Sequence, residues 1–198
     1  MRKAKREGAG DPEVLFLGLE GSGKSLLVRR LKFSLARRAV AKKSKGNQVA
    51  GSTDDAVFST DVVPTIGVNV DSVRVGKKAT LKLREVGGAM KPLWPTYLKA
   101  CAATVYCVDV STESTLAASA VEMARLAEAE ALRAKPCLVV LTKTDAPMTM
   151  TSAEVQTVAP LGQIGAAREG DVKVFAASAY TGEGVEALAD AIVSTCLK

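Results

Sequence analysis

Histidine is absent from the 198-residue chain. That one absence excludes a His-based catalytic triad, an imidazole general base and zinc sites with His ligands. Cysteine is scarce, and Cys101, Cys107, Cys137 and Cys196 show neither C-x-x-C nor C-x-x-C-H spacing. They read as buried, reduced thiols rather than a metal site or a disulfide framework. No run of about eighteen apolar residues is present, so no membrane-spanning helix is expected. The basic start Met1–Arg6 lacks the apolar stretch of a secretory signal, and Glu7, Asp11 and Glu13 do not suit a mitochondrial presequence. Aromatic residues are only 4% of the chain, yet apolar residues reach 47%, which excludes disorder throughout and fits one globular domain.

The formal charge of +6 raises the question of nucleic acid. Residues 1–45 hold thirteen Lys/Arg and four Asp/Glu, a net of +9, whereas residues 46–198 hold fourteen and seventeen, a net of −3. The basic character belongs to one end, and no nucleic-acid footprint spreads over the fold. Residues 1–12 read as a basic flexible tail that touches anionic lipid or an acidic partner at most weakly. The domain spans 13–198. Residues 42–61 are polar and turn-rich and read as a long loop insert.

Short apolar runs alternate with helical patterns. Val14–Leu17 forms a strand that ends at Gly18. Leu27, Leu31 and Leu35 recur every four residues and predict a helix over 25–40, with Arg29, Arg30, Lys32, Arg37 and Arg38 on its other faces. Ile66–Val75 and Ala79–Leu83 alternate in the manner of a hairpin. Thr104–Val108 and Cys137–Leu141 are nearly continuous apolar runs, as central strands require. Leu116, Ala120, Met123 and Ala127 have helical spacing, Val172–Ala177 is a last strand, and Val185, Leu188 and Ile192 mark a closing helix. This pattern predicts an α/β fold: a mostly parallel six-stranded sheet, one antiparallel edge strand, and helices on both faces.

Gly18-Leu19-Glu20-Gly21-Ser22-Gly23-Lys24-Ser25 is a complete G-x-x-x-x-G-K-[ST] match between a predicted strand and a predicted helix. The glycines let backbone N–H groups face phosphate oxygens, and the helix start favours an anion. Lys24 suits the β- and γ-phosphates, and the Ser25 hydroxyl suits Mg²⁺. Thr142-Lys143-Thr144-Asp145 ends a predicted strand. A carboxylate there accepts from guanine N1–H and N2–H₂, donors that adenine lacks at that edge. The stem of Lys143 suits one face of the base, and the backbone N–H of Ala179, in Ser178-Ala179-Tyr180, suits guanine O6.

With Gly18–Ser25, Thr65, Glu85–Gly88, Thr142–Asp145 and Ser178–Tyr180 in order, the chain resembles a small GTPase of the Ras superfamily from residue 14 onward. Pro64–Val70, Val86-Gly87-Gly88 and Pro92–Leu98 are similar to the ADP-ribosylation-factor-like (Arf/Arl) group. The resemblance implies the P-loop small G-protein fold, GTP/GDP and Mg²⁺ as ligands, and Ser25, Thr65 and (through water) Glu85 at the metal. It implies that Thr65 and Gly88 position the γ-phosphate from two switch segments. It also implies effectors and regulators bound through Thr65–Val70 and Gly88–Leu98, and a role in intracellular traffic, ciliary traffic included. Trp94, the only tryptophan, reads either as an effector contact or as local packing against the hairpin.

Two departures from that pattern matter. Glu85 stands where the family has aspartate, one methylene longer. Ala89 stands where the family has the glutamine that orients the attacking water, and alanine cannot do so. GTP binding with slow hydrolysis is therefore expected, and no certain catalytic residue is assigned. Thr142 replaces the usual asparagine of the guanine motif, a minor change. Arg2 occupies the position of the glycine that is myristoylated in that group, and Cys196 is third rather than fourth from the end, so no lipid anchor is expected. The expectation is a cytoplasmic switch, monomeric or a subunit of a complex. Two rivals stay open: a structural subunit that holds GTP permanently, and a P-loop kinase using ATP.

Overall fold

The centre of the sheet is built from the strands that are apolar on both faces. β1 (Glu13–Gly18), β4 (Ala103–Asp109) and β5 (Cys137–Thr142) are almost wholly buried. The edges are β2 (Val68–Val75) and β6 (Val172–Ala177), both half exposed, and β3 (Ala79–Val86) completes a six-stranded sheet of order β2-β3-β1-β4-β5-β6. This computed structural model describes residues 10–41, 63–76, 79–133, 135–147, 155 and 171–197, without the side chains of 39–41. Every pairing is parallel except β2 with β3, which runs antiparallel from Val68↔Val86 to Val75↔Ala79. The fold class is therefore the one expected from the sequence.

Because successive strand residues face opposite ways, β1 feeds two cores. Val14 and Phe16 pack with Leu27, Leu31 and Leu35 of helix α1 (Lys24–Ala41) and with Leu188 and Ile192 of the C-terminal helix, Val185–Cys196. Leu15 and Leu17 face the other side. There they join Trp94 and Leu98 of α2 (Trp94–Leu98) and Leu116, Met123 and Leu126 of α3 (Glu113–Ala127). The Thr112 hydroxyl caps α3 by accepting from the Thr115 N–H at 3.2 Å. A four-residue helix, α4 (Glu130–Arg133), follows, so the C-terminal helix is α5. Cys101, Cys107 and Cys137 are buried, and all four cysteines are free.

One expectation needs correction and one open choice is decided. The strand expected from Ile66 begins at Val68 instead, because Gly67 takes φ 109°, outside the extended region, and Ile66 is 98% exposed. Of the two readings left open for Trp94, packing is the one seen: it is 1% exposed, although in the core and not against the hairpin alone. Its ring meets Tyr106 edge-on at 6.2 Å, and its Nε1 donates to the Gly87 carbonyl at 3.4 Å. A large indole reaches the core here because its one polar group has a partner there. The tail over 1–9, the insert over 42–61 and any helix between β5 and β6 lie outside the described residues, Val155 apart.

Candidate functional site

β1 ends at Gly18, whose φ of 144° and close approach to β4 leave no room for a side chain: a Cβ would lie 2.5 Å from the Cys107 carbonyl oxygen. The chain then loops to the start of α1. Lys24, the first residue of α1, is 5% exposed. Its Nζ donates to the carbonyls of Gly18 at 2.8 Å and Leu19 at 2.7 Å and to Ser22 Oγ at 3.3 Å. Burial lowers its pKa, opposed by Cys107, Glu85 and Glu20. A buried cation inside a glycine-bent loop is a built anion site.

Three oxygen side chains from distant parts of the sequence converge beside it. Ser25 Oγ donates to Glu85 Oε1 and lies 3.0 Å from Thr65 Oγ1, which itself donates to the same carboxylate oxygen at 3.1 Å. Glu85 is 4% exposed near the end of β3. These hydroxyl and carboxylate donors form a hard, all-oxygen set of the kind Mg²⁺ prefers. Among the described residues, no cluster of three His, Cys, Asp or Glu side chains offers a different metal site.

The two glycines after β3 close the site from the far side. The Gly87 N–H donates to the Gly67 carbonyl at 2.9 Å. A Cβ on Gly87 would sit 2.3 Å from the Thr65 carbonyl oxygen, and one on Gly88 would sit 2.1 Å from the Glu20 nitrogen. The loop at Thr65, the turn at Gly87-Gly88 and the phosphate loop are thus in direct backbone contact. Together with Gly21, Gly23, Ser25 and Pro64 they enclose a cavity of about 360 Å³. Ala89 follows on an exposed 3₁₀ turn, Gly88–Leu93.

The second set of residues gathers at the carboxyl ends of β4, β5 and β6. Thr142 Oγ1 donates to the Ser22 carbonyl at 2.8 Å and approaches the Val108 carbonyl at 3.1 Å. Lys143 has a left-handed φ of 61°, and its ammonium pairs with Asp109 Oδ2 at 2.7 Å. The Ser178 hydroxyl donates to Asp145 Oδ1 at 2.6 Å and accepts the Thr181 N–H at 2.9 Å. Ala179 is 8% exposed, whereas Tyr180 is 62% exposed.

Sequence reasoning missed two residues here. Asp109, at the end of β4, anchors Lys143. Burial alone raises its pKa, but the Lys143 ammonium and the Ser111 hydroxyl and N–H hold it below the usual carboxylate range. Arg30, assigned from sequence to an outer face of α1, is 9% exposed and donates to the carbonyls of Ala179 at 3.1 Å and Tyr180 at 2.6 Å. A basic residue within a basic helix carries no signal of such a contact. For Asp109 the available signal was its place, a carboxylate at the end of a continuous apolar strand.

The comparisons with known proteins agree with this geometry. Residues 53–196 match the ADP-ribosylation factor family. The chain is 30% identical to human ADP-ribosylation factor-like protein 16 over 178 residues, which is 90% of this chain and 83% of the relative. It is 28% identical to ADP-ribosylation factor-like protein 3 of Saccharomyces cerevisiae over 178 residues, 87% and 79% of the two chains. In fold it is similar to the Arl6 BBS3 small GTPase of Trypanosoma brucei with bound nucleotide analogue GppNp. The TM-score is 0.70 at 21% identity, covering 94% of this chain and 99% of that one. With a family match over most of its length and a relative at 30% identity, the chain belongs to the ADP-ribosylation factor family of small GTPases.

Proposed function

We propose that this chain is a guanine-nucleotide switch that binds GTP and GDP with Mg²⁺, recruits protein effectors when GTP-bound, and hydrolyses GTP slowly. The observation that carries the reading is the backbone joint of Thr65, Gly87-Gly88 and Glu20 at one cavity. Two segments distant in sequence meet the phosphate loop there, so a single γ-phosphate can hold or release both. Gly18–Ser25 supplies backbone donors and the Lys24 charge. Thr65 and Gly88 position the terminal phosphate. Ser25, Thr65 and, through water, Glu85 would hold Mg²⁺, which when bound neutralises phosphate charge. Thr142, Lys143 and Asp145, with Ser178, Ala179 and Tyr180, take the base, Asp145 accepting from its N1–H and N2–H₂.

Slow hydrolysis follows from Ala89, which has no group to orient water. Ile66, Val70 and Leu93, at 98%, 48% and 45% exposed, give the switch segments an apolar face suited to a protein partner. A cytoplasmic setting in intracellular traffic, ciliary traffic included, is proposed from the family resemblance.

The experiment is to purify the full chain, identify its bound nucleotide, and compete GTP against ATP with and without EDTA. Preference for GTP, and faster release with EDTA, support the reading. Preference for ATP overturns it in favour of a kinase. GTP that is neither released nor hydrolysed overturns the switch in favour of a permanent structural cofactor.

A further inference from the structure

Arg30 sits about 9 Å along the α1 axis from Lys24, and its planar guanidinium faces the loop after β6. Nε donates to the Ala179 carbonyl and Nη2 to the Tyr180 carbonyl, at 3.1 and 2.6 Å. The same guanidinium lies under Gly182, where an added Cβ would be 3.5 Å from Cζ and Nη2. The Gly182 N–H in turn donates to the Ser178 carbonyl at 2.9 Å. In a trans peptide the C=O and N–H point in opposite directions. Holding the Ser178 carbonyl against Gly182 therefore turns the Ala179 N–H the other way, and holding the Ala179 carbonyl turns the Tyr180 N–H likewise.

Docking of α1 on the C-terminal unit does not require this buried cation. Ser34 donates to Glu186, and Arg38 pairs with Glu186 and Asp190, farther along the same helix. Burying a charge beneath a loop costs free energy that an apolar side chain would avoid, so the arrangement calls for a reason beyond packing.

We propose that Arg30 is a positioning residue for base specificity: by holding the Ala179 and Tyr180 carbonyls beneath Gly182 it keeps the loop folded on the Ser178 carbonyl, the bond that aims the Ala179 N–H at the guanine O6. This rests on the guanine reading above. α1 then serves both ends of the nucleotide, with Lys24 and Ser25 at the phosphates and Arg30 beneath the base loop.

The test compares GDP with ADP and with two guanine analogues on the full chain. 6-Thio-GDP replaces only O6, by a poor acceptor; inosine diphosphate keeps O6 and lacks the 2-amino group. The native chain is expected to prefer GDP over both. In Arg30→Met the preference over 6-thio-GDP should shrink by about fivefold, the scale of one neutral hydrogen bond. The preference over inosine diphosphate, which reports Asp145, should hold. Equal loss of both preferences, or of neither, overturns the proposal. Should Arg30→Met fail to fold, Arg30→Lys, which keeps the charge without the fork, carries the same comparison, and full retention of the 6-thio preference overturns it. A native chain that prefers GDP over ADP but not over 6-thio-GDP overturns the role of Arg30 and leaves the guanine reading standing. A native chain that does not prefer GDP over ADP overturns the guanine reading itself.

Discussion

The Thr142 hydroxyl donates to the Ser22 carbonyl at 2.8 Å, so the strand end that carries Thr142–Asp145 is bonded directly to the Gly18–Ser25 loop. Thr142 is 2% exposed and Ser22 1%. Thr142→Val keeps the shape and removes the donor, leaving a buried carbonyl unpaired at a cost of about 1–3 kcal/mol. GDP dissociation, followed with a fluorescent analogue, should then be at least several-fold faster. An unchanged rate would show that the two loops hold their positions independently.

Gly88 is in contact with the phosphate loop, with Glu20 N at 2.1 Å from any added Cβ. Backbone cannot yield as a side chain does, so Gly88→Ala should separate the turn from the loop. GDP affinity is expected to stay near native, while affinity for a non-hydrolysable GTP analogue falls by about tenfold, the loss of one charge-assisted hydrogen bond. Calorimetric titration of both nucleotides checks this. A parallel loss of both would place Gly88 in general phosphate binding instead.

Ala89 is exposed on its 3₁₀ turn, so a longer side chain meets no packing objection there. Ala89→Gln is expected to raise single-turnover GTP hydrolysis by roughly tenfold or more, in the range of a positioned group acting on the attacking water. No acceleration would mean that the rate is limited elsewhere, with Glu85 the next position to alter.

Much of the site was legible because its signals are local. The phosphate loop is contiguous, Leu27, Leu31 and Leu35 recur at helical spacing, and the apolar runs of β4 and β5 are continuous. What was not legible depends on partners far away in sequence. Arg30 looks like any solvated arginine until two carbonyls about 150 residues later are brought against it. Ile66 reads as strand by alternation, but one glycine with positive φ breaks the pairing before Val68. Trp94 reads as a contact residue or as packing alike, because nothing local announces that the Gly87 carbonyl will accept its N–H.

Asp109 gives a pH prediction. Its folded pKa is depressed, so it contributes stability that is present above the unfolded value of about 3.9 and is lost as pH falls through the lower folded value. Asp109→Asn should therefore cost about 1 kcal/mol at pH 7, given the partly exposed Lys143. That difference should begin to close below about pH 4 and vanish only below the depressed folded value. Urea unfolding at pH 7, 5 and 3 measures it, and a gap independent of pH would refute the ion-pair account.

The joint at Gly87 and Gly88 also limits how such a protein can be altered. At two consecutive positions even a methyl group collides with main chain, so the hinge between the switch segments offers no adjustable side chain. If the chain is the proposed switch, changes in how long it stays on have to be made at the flanks of that joint. Glu85 and Ala89, two of the positions where the sequence departs from the family pattern, bracket that joint, and on the proposed switch reading they are the places where its timing can change while its geometry stays intact.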